Sequence, residues 1–235
     1  MNKQNLLYEG KAKRIYQTDE AGLLWVQYKD DATAFNGEKK DVLVGKARLN
    51  NEISTLIFET LKEKGISSHF VRRLSDTEQL VQQVEIVPLE VVVRNVVAGS
   101  MAKRLGLKEG KSLNQPLVEF YYKDDALGDP LITEDHIALL NAAKTEEVEQ
   151  LKQMALSVNG ELIELFDRIG VRLVDFKLEF GRTDKGTLLL ADEISPDTCR
   201  LWDKETNERF DKDLFRRNLG NLQKGYQEIL SRLTV

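Results

Sequence analysis

The stretch from Val171 to Phe180 reads Val-Arg-Leu-Val-Asp-Phe-Lys-Leu-Glu-Phe, and it constrains the fold more tightly than any other segment. Successive side chains of a β-strand point to opposite faces. Val174, Phe176, Leu178 and Phe180 therefore share one face, and Asp175, Lys177 and Glu179 share the other. A strand of this kind buries its apolar row and leaves its charged row open. Arg182-Thr183-Asp184-Lys185-Gly186 reads as a turn, and Thr187 to Ala191 as a second strand ending at Asp192-Glu193. Pairing Arg182 with Thr187 sets Lys177 opposite Asp192 and Glu179 opposite Leu190. Asp192 then joins the charged face. Two carboxylates a diagonal apart, with a lysine beside them, make a magnesium site for a nucleoside triphosphate. A slip of one residue would move Asp192 to the other face. A solvated charged face gives the same pattern, so the hairpin alone leaves both readings open.

Periodicity organises the rest of the chain. Leu6 to Thr18 and Leu23 to Tyr28 read as strands joined by a turn near 19–22. Leu49, Ile53, Leu56, Ile57 and Leu61 recur at helical spacing, with Gly65 as the stop. His69 to Leu74 reads as a strand. Glu85 to Val97 is a long Val-rich extended run, and Pro88 within it suits an edge or a bulge. Ser100 can cap a short helix stopping at Gly106, and Leu117 to Lys123 is a further strand. Val148, Leu151, Ala155, Val158, Leu162, Leu165 and Ile169 mark one face of a long helix, with Thr145 as its N-cap and Gly170 as its stop. Leu214 to Leu219 and Leu222 to Leu233 form closing helices. Strands grouped early and helices placed late predict an α+β fold. The lobe boundary falls near 82–88, giving lobes of 1–83 and 84–235.

Composition excludes several classes of function. The 235 residues can bury a substantial core. A net charge of −5 argues against a general nucleic-acid binder, and no apolar run reaches membrane-spanning length. The N-terminus lacks a signal-peptide core, and the single cysteine, Cys199, cannot form an intramolecular disulfide; a cytoplasmic location is the expectation. With only His69 and His136, a histidine-rich metal site is excluded, and both histidines read as surface or packing residues.

Three further segments carry chemistry. Glu9-Gly10-Lys11-Ala12-Lys13 lies between extended pieces, where backbone N–H groups can fold over a phosphate and Lys11 and Lys13 can neutralise it from one face. It matches neither the P-loop nor the dinucleotide fingerprint, and a solvated basic strand would look the same. Arg94 ends a very apolar strand and therefore needs an anion, from the protein or from a ligand. Ser100 adds a hydroxyl at a helix start, and Arg200 follows a Pro-containing loop just after Asp192. Taken one at a time, each arginine is better explained by an internal salt bridge and Ser100 by a plain cap.

Taken together, Glu-Gly-Lys-Ala-Lys-Arg-Ile-Tyr at 9–16, Pro-Leu-Glu-Val-Val-Val-Arg-Asn at 88–95 with Ala-Gly-Ser at 98–100, Val-Asp-Phe-Lys-Leu-Glu-Phe-Gly at 174–181 and Asp-Glu-Ile-Ser-Pro-Asp-Thr-Cys-Arg-Leu-Trp-Asp at 192–203 resemble the SAICAR synthetase (phosphoribosylaminoimidazole-succinocarboxamide synthase) family of purine biosynthesis. The resemblance spans nearly the whole chain. It implies a two-lobed fold, with a small β-rich N-terminal lobe, a larger α/β lobe and a kinase-like ATP cleft between them. It also implies ATP-dependent joining of carboxyaminoimidazole ribonucleotide to L-aspartate, with Mg2+ as cofactor and a homodimer as the assembly.

By motif, Gly10, Lys11, Ala12 and Lys13 would hold the ATP phosphates. Val84 to Pro88, including Ile86, would form the adenine hinge, and Lys123 is a further nucleotide-site candidate. Glu179 and Asp192 would hold magnesium. Arg94, Ser100, Asp175, Lys177 and Arg200 would face the ribonucleotide, with Lys11, Asp175, Lys177 and Arg200 as the catalytic set. Asp31 to Gly37 matches the family's loop near the substrate cleft, its role left open by Asn36-Gly37. A carboxylate is a poor acyl donor until phosphorylated, and phosphoryl transfer depends on positioning and charge neutralisation rather than on a nucleophilic side chain. A small-molecule kinase would keep the magnesium carboxylates without needing Arg94, Ser100 and Arg200. A non-catalytic nucleotide binder would be expected to lack Lys11, Glu179 or Asp192.

Overall fold

The computed structural model describes residues 1–34 and 39–234. The chain opens with β1 (Lys3–Glu9), β2 (Lys13–Thr18), β3 (Leu23–Tyr28), β4 (Asp31–Ala34) and β5 (Lys39–Val42). The extended run expected from Leu6 to Thr18 is broken at 10–12, where the Gly10 N–H donates to the Lys13 carbonyl at 2.9 Å and closes a hairpin. Lys11 therefore sits in a turn and does not share a strand face with Lys13. Helix α1 (Lys46–Glu63) follows, then β6 (Phe70–Arg73) and β7 (Glu78–Gln82). These strands form a five-stranded sheet in the order β1-β2-β3-β7-β6, and β4 and β5 pair separately. Asn36 and Gly37 lie outside the described residues.

The chain then crosses to a second sheet. Its elements are β8 (Glu85–Val96), α2 (Gly99–Leu105), β9 (Ser112–Tyr122), β10 (Leu131–Ile132), α3 (Glu134–Leu139), α4 (Thr145–Arg168), β11 (Val171–Arg182), β12 (Leu188–Ala191) and β13 (Cys199–Asp203). The order is β10-β9-β8-β11-β12, with β13 also on β11. Helices α5 (Asp213–Arg216) and α6 (Leu222–Leu233) close the chain, and α6 packs on α1. No described helix is long and apolar enough to cross a membrane.

β8 is central in its sheet, not at an edge. Pro88 sits at a bulge, where four positions of β8 pass two of β11, from Glu90 opposite Glu179 to Ile86 opposite Gly181. Gly181 is required there, because a Cβ would come within 2.3 Å of the Val84 side chain. Below the sheet, Val91, Val93, Phe120, Phe176, Leu178 and Phe180 pack with Leu151, Ala155, Val158 and Leu162 of α4 in one core. Each such side chain contributes roughly 1.5–3 kcal/mol by leaving water. Val174 does not join Phe176 there. The β11/β13 register slips between Leu173 and Asp175, so Leu173 enters the main core and Val174 packs with Val96, Ala98 and Trp202.

Caps account for two further differences. Lys144, not Thr145, is the N-cap of α4, because the Glu147 carboxylate accepts from its backbone N–H at 3.0 Å. Ala98, not Ser100, precedes α2 and supplies no side-chain bond. Gly65, Gly106 and Gly170 end their helices with positive φ, as expected.

Candidate active site

A single face of the second sheet carries the polar row. Asp175 pairs with Arg94 across β8 and with Arg200 across β13, and Glu179 pairs with Glu90. On β9, Leu117 pairs with Arg94, and Glu119 and Tyr121 follow at period two on the same face. This face forms one wall of a cavity of about 520 Å³. The Gly10–Lys13 hairpin, the loop after β12 and the start of α5 complete it. The cavity brings together Gly10, Lys11, Ala12, Lys13, Arg94, Ser100, Lys123, Asp175, Lys177, Glu179, Asp192 and Arg200. Val84 and Ile86 are not among its lining residues. Val84 instead packs against Gly181, and Ile86 is 38% exposed in the β8–β11 ladder.

The expected register of the β11–β12 hairpin is wrong by one residue. Arg182 pairs with Leu188, and Glu179 with Ala191. Thr183 N–H donates to the Thr187 carbonyl at 2.9 Å, leaving Asp184-Lys185-Gly186 as a three-residue loop with Gly186 at positive φ. Continued in this register, Asp192 would oppose Leu178 on the core face. The ladder stops before that. Asp192 takes φ +59°, a left-handed conformation that aspartate tolerates better than most residues. The chain then leaves β11 for residues 192–198 and returns as β13 on the same edge. That excursion turns the Asp192 carboxylate into the cavity, where Lys13 Nζ lies 2.5 Å from Oδ1 and 3.1 Å from Glu193.

Electrostatics divide the cavity into two ends. At the first, burial opposes the Lys13 charge, but Asp192 and Glu193 outweigh it and raise its pKa well above the usual value. Burial likewise opposes the Asp192 charge, and Lys13 and Lys177 overcome it, so the carboxyl is held far below its usual range. Lys11 reaches Asp125 at 2.7 Å. Glu179 accepts from Lys123 at 3.0 Å and from Lys177 at 2.6 Å, and Lys177 also reaches Glu90 at 2.9 Å. The Lys177 ammonium is disfavoured by burial, yet Glu179 and Glu90 hold its pKa above the ordinary lysine value.

At the second end, Arg94 is only 3% exposed and all three of its nitrogens are engaged. Nε donates to Glu119 at 2.7 Å, Nη1 to Asp175 at 2.7 Å, and Nη2 to the hydroxyls of Ser100 (3.2 Å) and Tyr121 (2.9 Å). Arg200 Nη1 spans both Asp175 oxygens at 2.9 and 3.0 Å, while its Nε donates to Asp213 at 2.9 Å. Burial raises the Asp213 carboxyl, but Arg200 and Arg216 overcome this and bring it to about 2. The Arg200 guanidinium lies against Gly99, where a Cβ would fall 2.5 Å from Nη2. Glu90, Glu119, Tyr121, Glu193, Asp197, Lys212 and Asp213 are additional residues of this neighbourhood. Glu90 had a sequence signal, since it shares strand parity with Arg94. Asp197 and Lys212 lie in loops, where no periodicity marks them.

The donor set can be tested against magnesium. Glu179 and Asp192 offer hard oxygen ligands beside lysines suited to phosphate, but the described residues contain no cluster of three or more potential ligands. Magnesium needs only one or two carboxylates, because water and substrate phosphate oxygens complete its shell. The residues fit the ion as a partner of a bound nucleotide.

Comparison with known proteins agrees over the full length. The family model described as SAICAR synthetase matches residues 6–233. The phosphoribosylaminoimidazole-succinocarboxamide synthase of Shouchella clausii is 78% identical over 99% of this chain and 98% of its own. That of Halalkalibacterium halodurans is 71% identical with the same coverage. Among solved structures, the Ehrlichia chaffeensis synthase superposes with a TM-score of 0.96 at 45% identity, covering 98% of both chains. A SAICAR synthetase in complex with ADP gives 0.94 at 47% identity, covering 97% of both.

Proposed function

The chain belongs to the SAICAR synthetase family, and from that premise we propose how its residues divide the labour of the reaction. The enzyme uses ATP to join the carboxylate of carboxyaminoimidazole ribonucleotide to the amine of L-aspartate, giving SAICAR, ADP and phosphate in de novo purine biosynthesis. The observation that carries the assignment of ends is the cavity itself. Its lysine-rich hairpin end and its arginine-rich ladder end meet at Asp175, Lys177 and Glu179.

At the hairpin end, the Gly10 N–H stays on the Lys13 carbonyl and shapes the turn, while the backbone N–H groups of Lys11 and Ala12 and the ammonium groups of Lys11 and Lys13 hold the ATP phosphates. Lys13 exchanges Asp192 and Glu193 for phosphate oxygens, which frees the Asp192 carboxylate. Glu179 and Asp192 would then hold Mg2+, which when bound neutralises charge on the transferring phosphoryl group. Lys123 stands beside Glu179 and adds charge to the same region. The segment Val84 to Pro88, with Ile86, carries the chain from one sheet to the other and offers its backbone to adenine. The lobes accordingly divide at 83/84.

At the ladder end, Arg94, Ser100 and Arg200 hold the anionic ribonucleotide. Arg94 Nη2 has only neutral hydroxyl partners, and an anion is a stronger acceptor than either. Lys177 steadies the carboxylate as it becomes an acyl phosphate, and Asp175 orients the attacking amine and the two arginines. Cytoplasmic location and a homodimer follow from the family resemblance. Phosphate release tests the reaction. Release of ADP and phosphate that requires ribonucleotide, aspartate, ATP and magnesium together is expected, whereas ADP formation without aspartate and without release of phosphate would favour a small-molecule kinase.

A further inference from the structure

His69 is buried just before β6, in a segment hydrogen-bonded to both sheets. Its backbone N–H donates to the Leu190 carbonyl of β12 at 2.7 Å, and its own carbonyl accepts from Gln82 of β7 at 2.7 Å. Ser68 bridges to Leu190 beside it. The imidazole packs edge-on to Phe58, with ring centroids 5.9 Å apart. Its Nε2 lies 3.1 Å from the backbone carbonyl oxygen of Asp192. A carbonyl only accepts, so Nε2 carries the proton.

The carbonyl held in this way belongs to the residue at which the β12 ladder breaks. Asp192 is left-handed, and that conformation turns its carboxylate toward Lys13 instead of the core. In a continued strand the side chain would point away from the cavity. The break has no glycine to ease it, and the carbonyl beside it is anchored from the other sheet. Packing alone accounts for the ring against Phe58 but not for the polar atom's aim at this one peptide group.

We propose that His69 is a positioning residue, whose Nε2–H fixes the Asp192 peptide and so holds the Asp192 carboxylate in the nucleotide end of the cavity. This deepens the reading of Asp192 as a magnesium ligand and rests on it. A group that orients a ligating carboxylate typically changes metal affinity about 10- to 100-fold when removed.

Two variants separate aim from packing. His69→Phe keeps a flat ring against Phe58 and removes the donor. His69→Gln keeps an amide donor near the Nε2 position. ADP binding is measured by calorimetry with magnesium chloride and with chelator. The magnesium-dependent gain in ADP affinity should fall about 10-fold or more in His69→Phe, while chelator-state ADP affinity stays at the wild-type level and His69→Gln recovers most of the gain. Nitrogen-15 NMR of the unmodified protein supplies a readout that needs no ligand and no variant. It should show the Nε2–H tautomer, and an Nδ1–H tautomer would overturn the proposal even if His69→Phe does not fold. Full magnesium-dependent gain in His69→Phe would also overturn it, as would equal losses in both variants with lowered melting temperatures. Asp192→Asn is the control. If it keeps the gain, the metal reading itself fails. If it loses the gain and His69→Phe does not, only the role of His69 fails.

Discussion

The two ends of the cavity are built by different means. At the ladder end, Arg94 and Asp175 lie on regular strands, as do Lys177 and Glu179 where the two ends meet, and period-two alternation alone puts them on one face. At the hairpin end, Lys11 sits in a turn, Lys13 at a strand start, and Asp192 at a left-handed break. The ladder end is heavily cross-bonded, with Arg94 tied to four side chains. The hairpin end depends on ion pairs of Lys11 and Lys13 that a triphosphate can exchange. A mutation at the ladder end should act through geometry, and one at the hairpin end through charge.

Arg94→Lys gives the sharpest test of the ladder end. It keeps the charge and loses the fork that reaches Glu119, Asp175 and the hydroxyls together. Ribonucleotide use should weaken by on the order of 2–5 kcal/mol, with ATP affinity nearly intact. Michaelis constants for all three substrates, read beside the melting temperature, check this. A uniform loss with reduced melting temperature would make Arg94 a structural clamp.

Lys13→Ala is the counterpart at the other end. Loss of a largely buried charge-assisted partner should weaken ADP binding by roughly 1.5–3 kcal/mol, and ribonucleotide binding less. Asp192→Asn should raise the magnesium needed for half-maximal activity with little loss of fold. Full activity at ordinary magnesium would remove it from the site.

A third contrast lies behind the ladder. Asp211 is buried and accepts from the backbone N–H groups of Leu201 and Asp213 at 2.9 and 2.8 Å. Burial and then the neighbouring Asp213 push its pKa up to about 7, from an ordinary 3.8. The folded state therefore binds this proton more tightly than the unfolded one. Its contribution to stability is fully present below pH 4 and is lost as pH rises through about 7. Asp211→Asn has no such proton. Its stability deficit relative to wild type should shrink between pH 5 and 8 by on the order of 2 kcal/mol. Denaturant titrations at the two pH values would show it, and a constant deficit would contradict it.

The smallest effect is expected at Lys11. Its side chain is 46% exposed and pairs with Asp125, itself 70% exposed. Lys11→Ala should cost fold stability no more than about 1 kcal/mol, while still weakening ADP binding. Unchanged ADP affinity would leave phosphate binding to Lys13 and the backbone.

The alternation in β11 and the helical stripe of α4 could be read from sequence because each follows one repeating period, and burial enforces it. The ladder residues came with them. The hairpin register could not be read in the same way. Residues 182–187 permit two loop lengths, and a glycine at 186 selected the three-residue one. Asp192 reached the expected cavity by an unexpected path, since its left-handed backbone leaves no trace in periodicity. The partners of Arg94 were half legible. Glu119 and Tyr121 carry the right parity, but only the β8–β9 register joins them to it. Asp125, Asp197 and Lys212 lie in loops, and three-dimensional closure alone brings them to the site.

The division of the cavity into a geometric end and an electrostatic end is tested most directly by one paired calorimetric titration. Magnesium-ADP and ribonucleotide are each titrated into Arg94→Lys and into Lys13→Ala. Arg94→Lys should lose ribonucleotide affinity and keep magnesium-ADP affinity, and Lys13→Ala should do the reverse. If each variant weakens both ligands to the same extent, the two ends are one undivided site and the account is wrong.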